Sequence, residues 1–406
     1  MTVKVVESPA DGRLFTRPAA VASCVGFILI GMLQALYGPA VPGLREQYGL
    51  TPSGAGLGLS LHFAGGLAGV LAFNAIHSRI SNRALVVASY GLMAAGGAGF
   101  ALAPNWPVAL AAAFLGGLGF GGIDYGLNQL FAVGFGEKST AMLNVLNAHF
   151  GIGAVLGPAV VAWLGPDDYA YAFAGCAVLA AALALTTNGI RTRTAADVPS
   201  EAPSVKLGLS RILIGFIALY ILNVAVEAGV GGWEPTHLET IGYSATVAAS
   251  ATSVYWLMMT AGRFLVVPIT MKYSPERILT VCAAGMTVCL LLALFKGAAP
   301  LAYVGVGLFI APVFPTGLPW LNRALPQSRR AGAWVIAASM LGGVAAPPLL
   351  GVGIEVSGIH AVPWLLTALS AASLVATVWL IRLTRASGSP RAPRTVPATP
   401  DRHRLG

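Results

Sequence analysis

The sequence predicts an all-α membrane protein with twelve transmembrane helices in two pseudo-symmetric six-helix bundles. Three observations predict this fold class. Of the 406 residues, 56% are hydrophobic and only 10% are charged, whereas soluble domains average about 25% charged residues. Apolar runs of about 20 residues, long enough to cross a bilayer, recur along nearly the whole chain. The longest polar interruption lies near the middle and separates six of these runs from the other six.

Each apolar run is taken as one span. The spans are predicted at residues 18–42, 53–77, 83–103, 107–135, 140–164, 169–190, 209–233, 246–271, 276–296, 299–325, 330–354 and 359–383. The chain is thereby divided into an N-terminal segment (1–17), a first bundle (18–190), a linker (191–208), a second bundle (209–385) and a tail (386–406). The tail is rich in Pro and Arg, and we expect it to be disordered.

The distribution of basic residues predicts the topology. When the N-terminus is placed in the cytoplasm, the cytoplasmic segments hold all 24 lysines and arginines except Arg45, Lys296 and Arg263. This is a strong positive-inside pattern, and it places both termini and the linker in the cytoplasm. Because the basic residues set topology, the net charge of +9 predicts no nucleic-acid partner.

Two spans have an unusual composition. The fourth, FLGGLGFGGIDYGLNQLF, carries glycines that permit very close contact between helices. The tenth carries Pro312, Pro315 and Pro319, and each of them removes a backbone donor, so this helix is expected to be kinked or partly unwound. Irregular backbone at membrane depth is tolerated only where it is buried in protein or lines a cavity. Both spans therefore fit helices that move or line a ligand site.

Three ionisable residues lie deep within apolar runs: Asp124, Glu227 and Arg263. A charge in hydrocarbon costs at least about 2.5–3.5 kcal/mol on insertion scales, so a functional role is the default interpretation. Asp124 is the predicted proton carrier, because a low-dielectric site favours the neutral form of a carboxyl group. The alternative is an Asp124 that is permanently hydrogen-bonded and fixes helix packing.

Glu227 and Arg263 leave more alternatives open. Glu227 is predicted as a second proton site, as an acceptor for a solute hydroxyl, or as the ion-pair partner of Arg263. Arg263 is predicted to take part in an ion pair or in gating. Its long side chain could instead extend to the cytoplasmic surface.

Amide and aromatic side chains complete the predicted solute site. Asn128 follows Asp124 by four residues and Asn223 precedes Glu227 by four, so each amide shares a helix face with an acid. Amides donate and accept hydrogen bonds, and aromatic rings cover the apolar face of a sugar. The predicted solute-binding residues are Gln34, Tyr37, Asn128, Asn144, Asn147, Asn223, Trp233, Trp256, Trp320 and Asn322.

Motifs for other chemistry are missing from the sequence. It contains no Walker A motif, no GxSxG, no HExxH and no cluster of Cys and His. We therefore expect neither an ATP-driven pump nor an enzyme, and we expect no metal and no cofactor.

At these residues the chain resembles the major facilitator superfamily. The twelve spans in two halves, the central linker and the loop after the second span all fit. That loop usually carries an Asp-Arg-x-Gly-Arg-Arg signature, and here it is SRISNR from Ser78 to Arg83. Arg79 and Arg83 match, and the resemblance implies a gating role for them. Because Ser78 replaces the acid, a gating ion pair would have to be built differently.

Within the superfamily, the chain looks most like the fucose permease group of sugar–proton symporters. GIDYGLNQLF resembles the fourth span of that group, which implies a proton on Asp124. NVLNAHFGIGAVLGP, LYILNVAVEAGVGGWEPTHL, YWLMMTAGRF and APVFPTGLPW resemble its fifth, seventh, eighth and tenth spans. The fucose permease has a second acid in the first span, and Gln34 and Tyr37 occupy that neighbourhood here. Coupling would then use Asp124 alone or recruit Glu227.

We therefore expect a secondary transporter of the bacterial inner membrane that works by proton-coupled alternating access. Its partners would be protons, a small polar solute, most simply a sugar, and the lipid bilayer, and it would be a monomer. One alternative is a proton-driven exporter of drugs or metabolites. Another is a membrane sensor or scaffold that transports nothing, in which Asp124 and Glu227 could be neutralised without consequence.

Overall fold

The structure is a computed structural model that describes residues 14–77, 79–135, 138–190, 210–326 and 331–386. The predicted linker, and the predicted tail apart from Ala386, lie outside the described residues. Within the described ranges, twelve helices are long and apolar enough to cross a membrane. The predicted fold class, an all-α membrane protein with twelve spans, is confirmed.

The first bundle is built from seven α-helices in the described part of the chain. Their bounds are α1 Arg17–Ala35, α2 Tyr37–Tyr48, α3 Pro52–Ile76, α4 Asn82–Ala101, α5 Trp106–Gly134, α6 Ser139–Leu164 and α7 Tyr169–Thr186. The second of them, α2, follows α1 directly after Leu36.

The second bundle repeats this plan with two interrupted spans. The described helices are α8 Arg211–Thr240, α9 Ala245–Leu265, α10 Val267–Thr270, α11 Pro275–Leu292, α12 Ala299–Ile310, α13 Val313–Ala324, α14 Ala331–Ser357 and α15 Val362–Ala386. The seventh span, which we predicted to end at residue 233, continues as α8 to Thr240.

Polar caps fix where several helices begin. The side chain of Thr51 accepts a hydrogen bond from Gly54 N at 3.2 Å, at the start of α3. Asn105 Oδ1 accepts from Val108 N at 3.1 Å, at the start of α5. Each cap satisfies one of the backbone donors that the first turn of a helix leaves free.

The tenth span is interrupted where the prolines predict it. Hydrogen bonding of α12 ends at Ile310, and α13 begins at Val313. Pro312 and Pro315 have no N–H, so the carbonyls four residues before them lose their usual helical partners. The span therefore consists of two short helices instead of one continuous helix.

The two bundles meet along two pairs of long helices. α3 packs against α14, and α6 packs against α9. These contacts are equivalent when the halves are exchanged, because the second span corresponds to the eighth and the fifth to the eleventh. Such pseudo-symmetric interfaces are the surfaces on which the halves of secondary transporters rock.

The two ends of the bundle differ. We call the end at which α1 and α8 begin the linker end, and the opposite end the far end. At the far end, Ser53 N donates to Glu355 Oε1 at 2.9 Å, and the Ser53 hydroxyl donates to the same oxygen. Deeper along the same helices, Ser60 Oγ donates to Val344 O, and Phe63 lies against Gly343. The contact between α3 and α14 therefore extends from the far end towards the middle.

Prolines expose the acceptors that these contacts use. Pro348 lacks an N–H, so Val344 O, four residues before it in α14, is free to accept from Ser60. Pro235 does the same in α8 and frees Gly231 O, against which Gly38 of α2 packs directly. The contact of Gly38 with Gly231 O is therefore backbone to backbone, which requires a residue without a side chain at position 38. We call this contact, together with the Ser53–Glu355, Ser60–Val344 and Trp233–Pro347 hydrogen bonds, the far-end seal.

The seal at the far end is tight. Trp233 is 1% exposed, and its Nε1 donates to Pro347 O at 3.0 Å. Between Tyr37, Gly38 and Trp233, the packing leaves a cavity of only about 10 Å³. That volume is about what one water molecule needs. The far end is therefore closed in this conformation.

We predict that Gly38→Ala destabilises this closed conformation. A Cβ at Gly38 would overlap Gly231 O, so α2 and α8 must separate. Overpacking of this kind costs about 1–3 kcal/mol. The measurement is thermal unfolding of the purified protein in detergent, where Gly38→Ala should unfold at a clearly lower temperature.

The matched control is Gly175→Ala in α7. A Cβ at Gly175 would meet nothing within 4 Å, and alanine is the better helix former. This variant should be as stable as the parent or slightly more stable. Equal unfolding temperatures for both variants would show that the Gly38 contact is not part of the seal.

Candidate solute-binding site

A hydrogen-bonded chain of three polar side chains joins α5 to α6. Asn128 Nδ2 donates to Asp124 Oδ1 at 3.0 Å and to Asp124 O at 2.9 Å. Asn147 Nδ2 donates to Asn128 Oδ1 at 2.9 Å. Asp124 Oδ2 receives no hydrogen bond from the described residues, so one carboxyl oxygen stays available for a proton or a solute.

Glycines allow α5 to hold this chain deep in the first bundle. Gly121 faces Gly66 O of α3, and Gly119 faces Ser89 O of α4, each too closely for a Cβ. α5 therefore lies backbone to backbone against two neighbours, as the sequence predicted. Asp124 follows one turn after Gly121 and is only partly exposed.

The polar chain reaches the interface between the bundles. On α6, Gly151 packs against the side chain of Thr260 on α9. One turn nearer the linker end, Asn147 of α6 and Arg263 of α9 are both exposed. An amide and a guanidinium are costly in lipid, so we expect both side chains to face water between the halves. Asn144, also exposed, lies one further turn along α6.

The second bundle contributes Glu227 from α8. Its side chain is partly exposed, and Tyr255 Oη of α9 donates to Glu227 O at 3.4 Å. The positive charge of Arg263 acts electrostatically on Glu227. Among the described residues, however, the ion pair within 4.0 Å is Arg323 with Glu276. Arg263 Nη2 lies instead 3.8 Å from Met259 Sδ, so a static Glu227–Arg263 pair is not formed here.

Two buried polar groups near Glu227 lack a partner. Asn223 Oδ1 and Trp256 Nε1 form no hydrogen bond with any described residue, although the two residues are only 2% and 4% exposed. Buried polar groups are nearly always satisfied in folded proteins, so each unpaired one calls for a water or a ligand. These groups offer one acceptor and one donor on the side of the second bundle.

Several predicted solute-binding residues lie elsewhere in this conformation. Tyr37 is buried among Phe100 and Phe173, with ring centroids 5.3 and 5.2 Å away. Trp320 packs edge-on against Phe216 at 5.0 Å in the core of the second bundle. Both rings therefore belong to packed cores here, as does the Trp233 ring at the far-end seal.

The remaining predicted residues occupy three different settings. Gln34 is 8% exposed within the first bundle. Asn322 is exposed near the linker end, beside Arg323. Arg79 is exposed at the same end, and Arg83 donates through Nη2 to Asn188 Oδ1, which ties α4 to the segment after α7. That contact stays within the first bundle.

Three buried ionisable side chains were not predicted as site residues from the sequence: Glu234 and His62, both 0% exposed, and His237, 3% exposed. Glu234 was overlooked because the seventh span was ended at residue 233. The signal that could have included it is the absence of a turn glycine before Gly242. His62 lies in α3, with its Nδ1 3.5 Å from Tyr37 Oη.

A larger cavity of about 440 Å³ lies away from these acids. It is formed by α9, α11 and α12, and apolar side chains such as Leu265, Val281 and Phe309 line it. Arg277 and Tyr273 are its polar lining groups. The polar chain and Glu227 do not border this cavity, so we place the candidate solute site between the bundles.

Comparison with known proteins gives the following matches. A family model described as Major Facilitator Superfamily matches residues 23–223 and 212–403. The sodium-dependent glucose transporter 1A of Mus musculus is 22% identical over 376 residues, which cover 80% of this chain and 87% of that protein. The cyanate transport protein CynX of Escherichia coli (strain K12) is 32% identical over 143 residues, or 34% of this chain and 37% of that protein.

Two solved structures share the fold over most of the chain. The nucleoside transporter NupG superposes with a TM-score of 0.75 at 13% identity, covering 90% of this chain and 98% of that one. The inward open conformation of the xylose transporter XylE from E. coli gives a TM-score of 0.73 at 14% identity, covering 89% and 95%. At these identities the likeness concerns the fold.

We predict that Asn128→Ala is more damaging than Asn144→Ala. Removing Asn128 leaves Asp124 Oδ1 without its donor and Asn147 without its acceptor. Asn144, by contrast, is exposed and takes no part in these hydrogen bonds. A polar group left unsatisfied when its partner is removed costs about 1–3 kcal/mol. Thermal unfolding in detergent should show a larger loss for Asn128→Ala. Equal losses would mean that the chain does not couple α5 to α6.

Proposed function

The chain belongs to the major facilitator superfamily of transporters, and from this premise we propose that it carries a small polar solute, in the first place a sugar, together with protons. Within the superfamily, we propose that the protein belongs to the fucose permease group. The proposed location is the bacterial inner membrane, where the protein acts as a monomer.

The hydrogen-bonded chain of Asp124, Asn128 and Asn147 is the observation that supports proton coupling. An ion couples to a solute only if its binding changes the free energy of solute binding. When Asp124 is charged, it accepts from Asn128; when it is neutral, it gains an O–H that needs an acceptor. Protonation at Oδ2 therefore changes this oxygen from an acceptor into a donor for a solute, while Asn128 can continue to donate to Oδ1.

The chemistry of the surrounding groups supports a neutral, hydroxylated solute. Asn147, Asn223 and Trp256 provide amide donors, amide acceptors and an indole N–H around the interface. Hydroxyl groups both donate and accept, so a sugar can satisfy all three kinds of group. The names of the relatives point the same way, since they include a glucose transporter and a xylose–proton symporter.

The proposed mechanism is alternating access around this site. We propose that the linker end lies in the cytoplasm, as the positive-inside pattern favours, and that this conformation faces inward. Opening to the outside requires the Ser53–Glu355 and Ser60–Val344 bonds to break. At the same time, α6 and α9 must close over Asn147 and Arg263.

We predict that Asp124→Asn abolishes proton coupling. Purified protein in liposomes would be mixed with glucose, fucose, xylose or uridine, and internal pH would be recorded. The parent protein should show solute-driven proton influx with at least one of these compounds. Asp124→Asn should show none, because its amide cannot take up a proton, yet it should still exchange labelled solute without a pH gradient.

The matched control is Asp167→Asn, which neutralises an exposed acid at the far end. It should retain the flux of the parent protein. Proton-driven accumulation that survives in Asp124→Asn would contradict the assignment. Flux with the lipophilic cation tetraphenylphosphonium alone would identify an exporter. Solute uptake that follows an imposed sodium gradient at constant pH would replace the proton by sodium.

A further inference from the structure

Glu234 of α8 is the least solvated carboxyl group among the described residues. It is 0% exposed, and neither of its carboxyl oxygens lies within hydrogen-bonding geometry of a donor in the described part of the chain. It follows Trp233, which closes the far end, and it does not belong to the hydrogen-bonded chain of Asp124, Asn128 and Asn147. An isolated carboxylate in such a place would cost several kcal/mol, and such groups become neutral instead.

The neighbours of Glu234 offer acceptors to it. The hydroxyl of Thr252 on α9 lies beside the carboxyl group, but Thr252 Oγ1 donates its hydrogen to Ala248 O at 3.2 Å. A hydroxyl has a single hydrogen, so Thr252 can donate either to Ala248 O or to a Glu234 carboxylate, but not to both. A protonated Glu234 can instead donate its own O–H to Thr252 Oγ1, and the hydrogen bond to Ala248 O is then kept. The protonated form therefore allows both hydrogen bonds at once.

Two tyrosines and a histidine lie near Glu234 in the described part of the chain. Tyr255 of α9 and Tyr303 of α12 are close enough to interact with it electrostatically. Tyr303 Oη lies 3.0 Å from Nδ1 of His237, a buried histidine on α8 itself. No described lysine or arginine pairs with Glu234, which leaves a proton as the means of neutralising it.

Glu234 is connected to the interface through α8 and Tyr255. It follows Glu227 by seven residues, which is two helical turns, so both carboxyl groups share a face about 10 Å apart along the axis. Tyr255 interacts electrostatically with both acids, and its hydroxyl contacts Glu227 O. Glu227, Tyr255 and Glu234 thus lie in a row that runs from the interface towards the far end.

Two contacts that must break for outward access lie next to Glu234 along α8. Gly38 packs on Gly231 O one turn before Glu234, and Trp233 is tied to Pro347 immediately before it. When the halves separate at the far end, both contacts are lost. Water would then reach the carboxyl group.

We propose that Glu234 is a second proton-binding site, which takes its proton from the far side of the membrane and holds it while the far end is closed. Binding converts the carboxylate to a carboxylic acid by adding one proton from far-side water, and reopening returns that proton. The proposal rests on the far-end seal. It requires neither a particular solute nor proton transfer by Asp124, so it stands or falls separately from the proposed function.

The test is infrared spectroscopy of the full-length protein in liposomes at neutral pH, in the stretching region of protonated carboxyl groups. The parent protein should show a band there that Glu234→Gln removes. Glu46→Gln, which changes an exposed far-end acid, and Asp124→Asn should retain it. A spectrum of Glu234→Gln that still contains the whole band would overturn the proposal.

Two further measurements keep the result decisive. Glu234→Gln replaces a neutral acid by a neutral amide of similar shape, so its unfolding temperature should stay close to that of the parent; a large loss would indicate a charged Glu234 with a partner. Replacing choline chloride by sodium chloride should leave the band unchanged. Loss of the band in sodium would overturn proton binding in favour of sodium.

Exchange into D₂O tests the link to the seal. The Glu234 band should shift slowly in the parent protein, because the closed far end excludes water, and several-fold faster in Gly38→Ala, where the seal is weakened. Equal exchange rates in the two proteins would contradict control of this site by the far end.

Discussion

The cost of placing charge inside a membrane-spanning bundle is the constraint on which this structure depends. Each intramembrane acid meets it differently. Asp124 accepts from Asn128 and keeps one oxygen free, while Glu227 is partly exposed at the interface. Glu234 is fully buried without a partner. The protonation of carboxyl groups in such settings depends on whether water can reach them. Access of water changes when the two bundles rock against one another.

Close contact between helix backbones closes the far end to water in this conformation. Gly38 against Gly231 O, and Ser60 against the carbonyl that Pro348 frees, make a far-end seal from small residues and unpaired acceptors. Such a contact leaves room for about one water molecule, and few side chains must repack when it breaks. The prolines and glycines of α8 and α14 therefore serve the movement and the closed state together.

The sequence was sufficient to predict the spans, because length and hydrophobicity determine which segments cross a bilayer. Helical spacing also placed Asn128 beside Asp124. Asn147 was predicted as a solute-binding residue. Its hydrogen bond to Asn128, however, depends on how α5 packs against α6, and spacing along one helix does not encode this packing. The packed positions of Tyr37 and Trp320 and the burial of Glu234 could not be predicted for the same reason, since each depends on contacts between distant helices.

Alternating access requires the two ends to move reciprocally, and distances between pairs of spin labels measure this movement. With the native cysteines replaced, one pair of labels would occupy Glu46 and His360 at the far end, and another Ala84 and Arg277 at the linker end, all exposed positions. Acidic pH with fucose, xylose or glucose should lengthen the far-end distance and shorten the linker-end distance together. Two distances that stay fixed, or that change in the same direction, would contradict alternating access around Asp124.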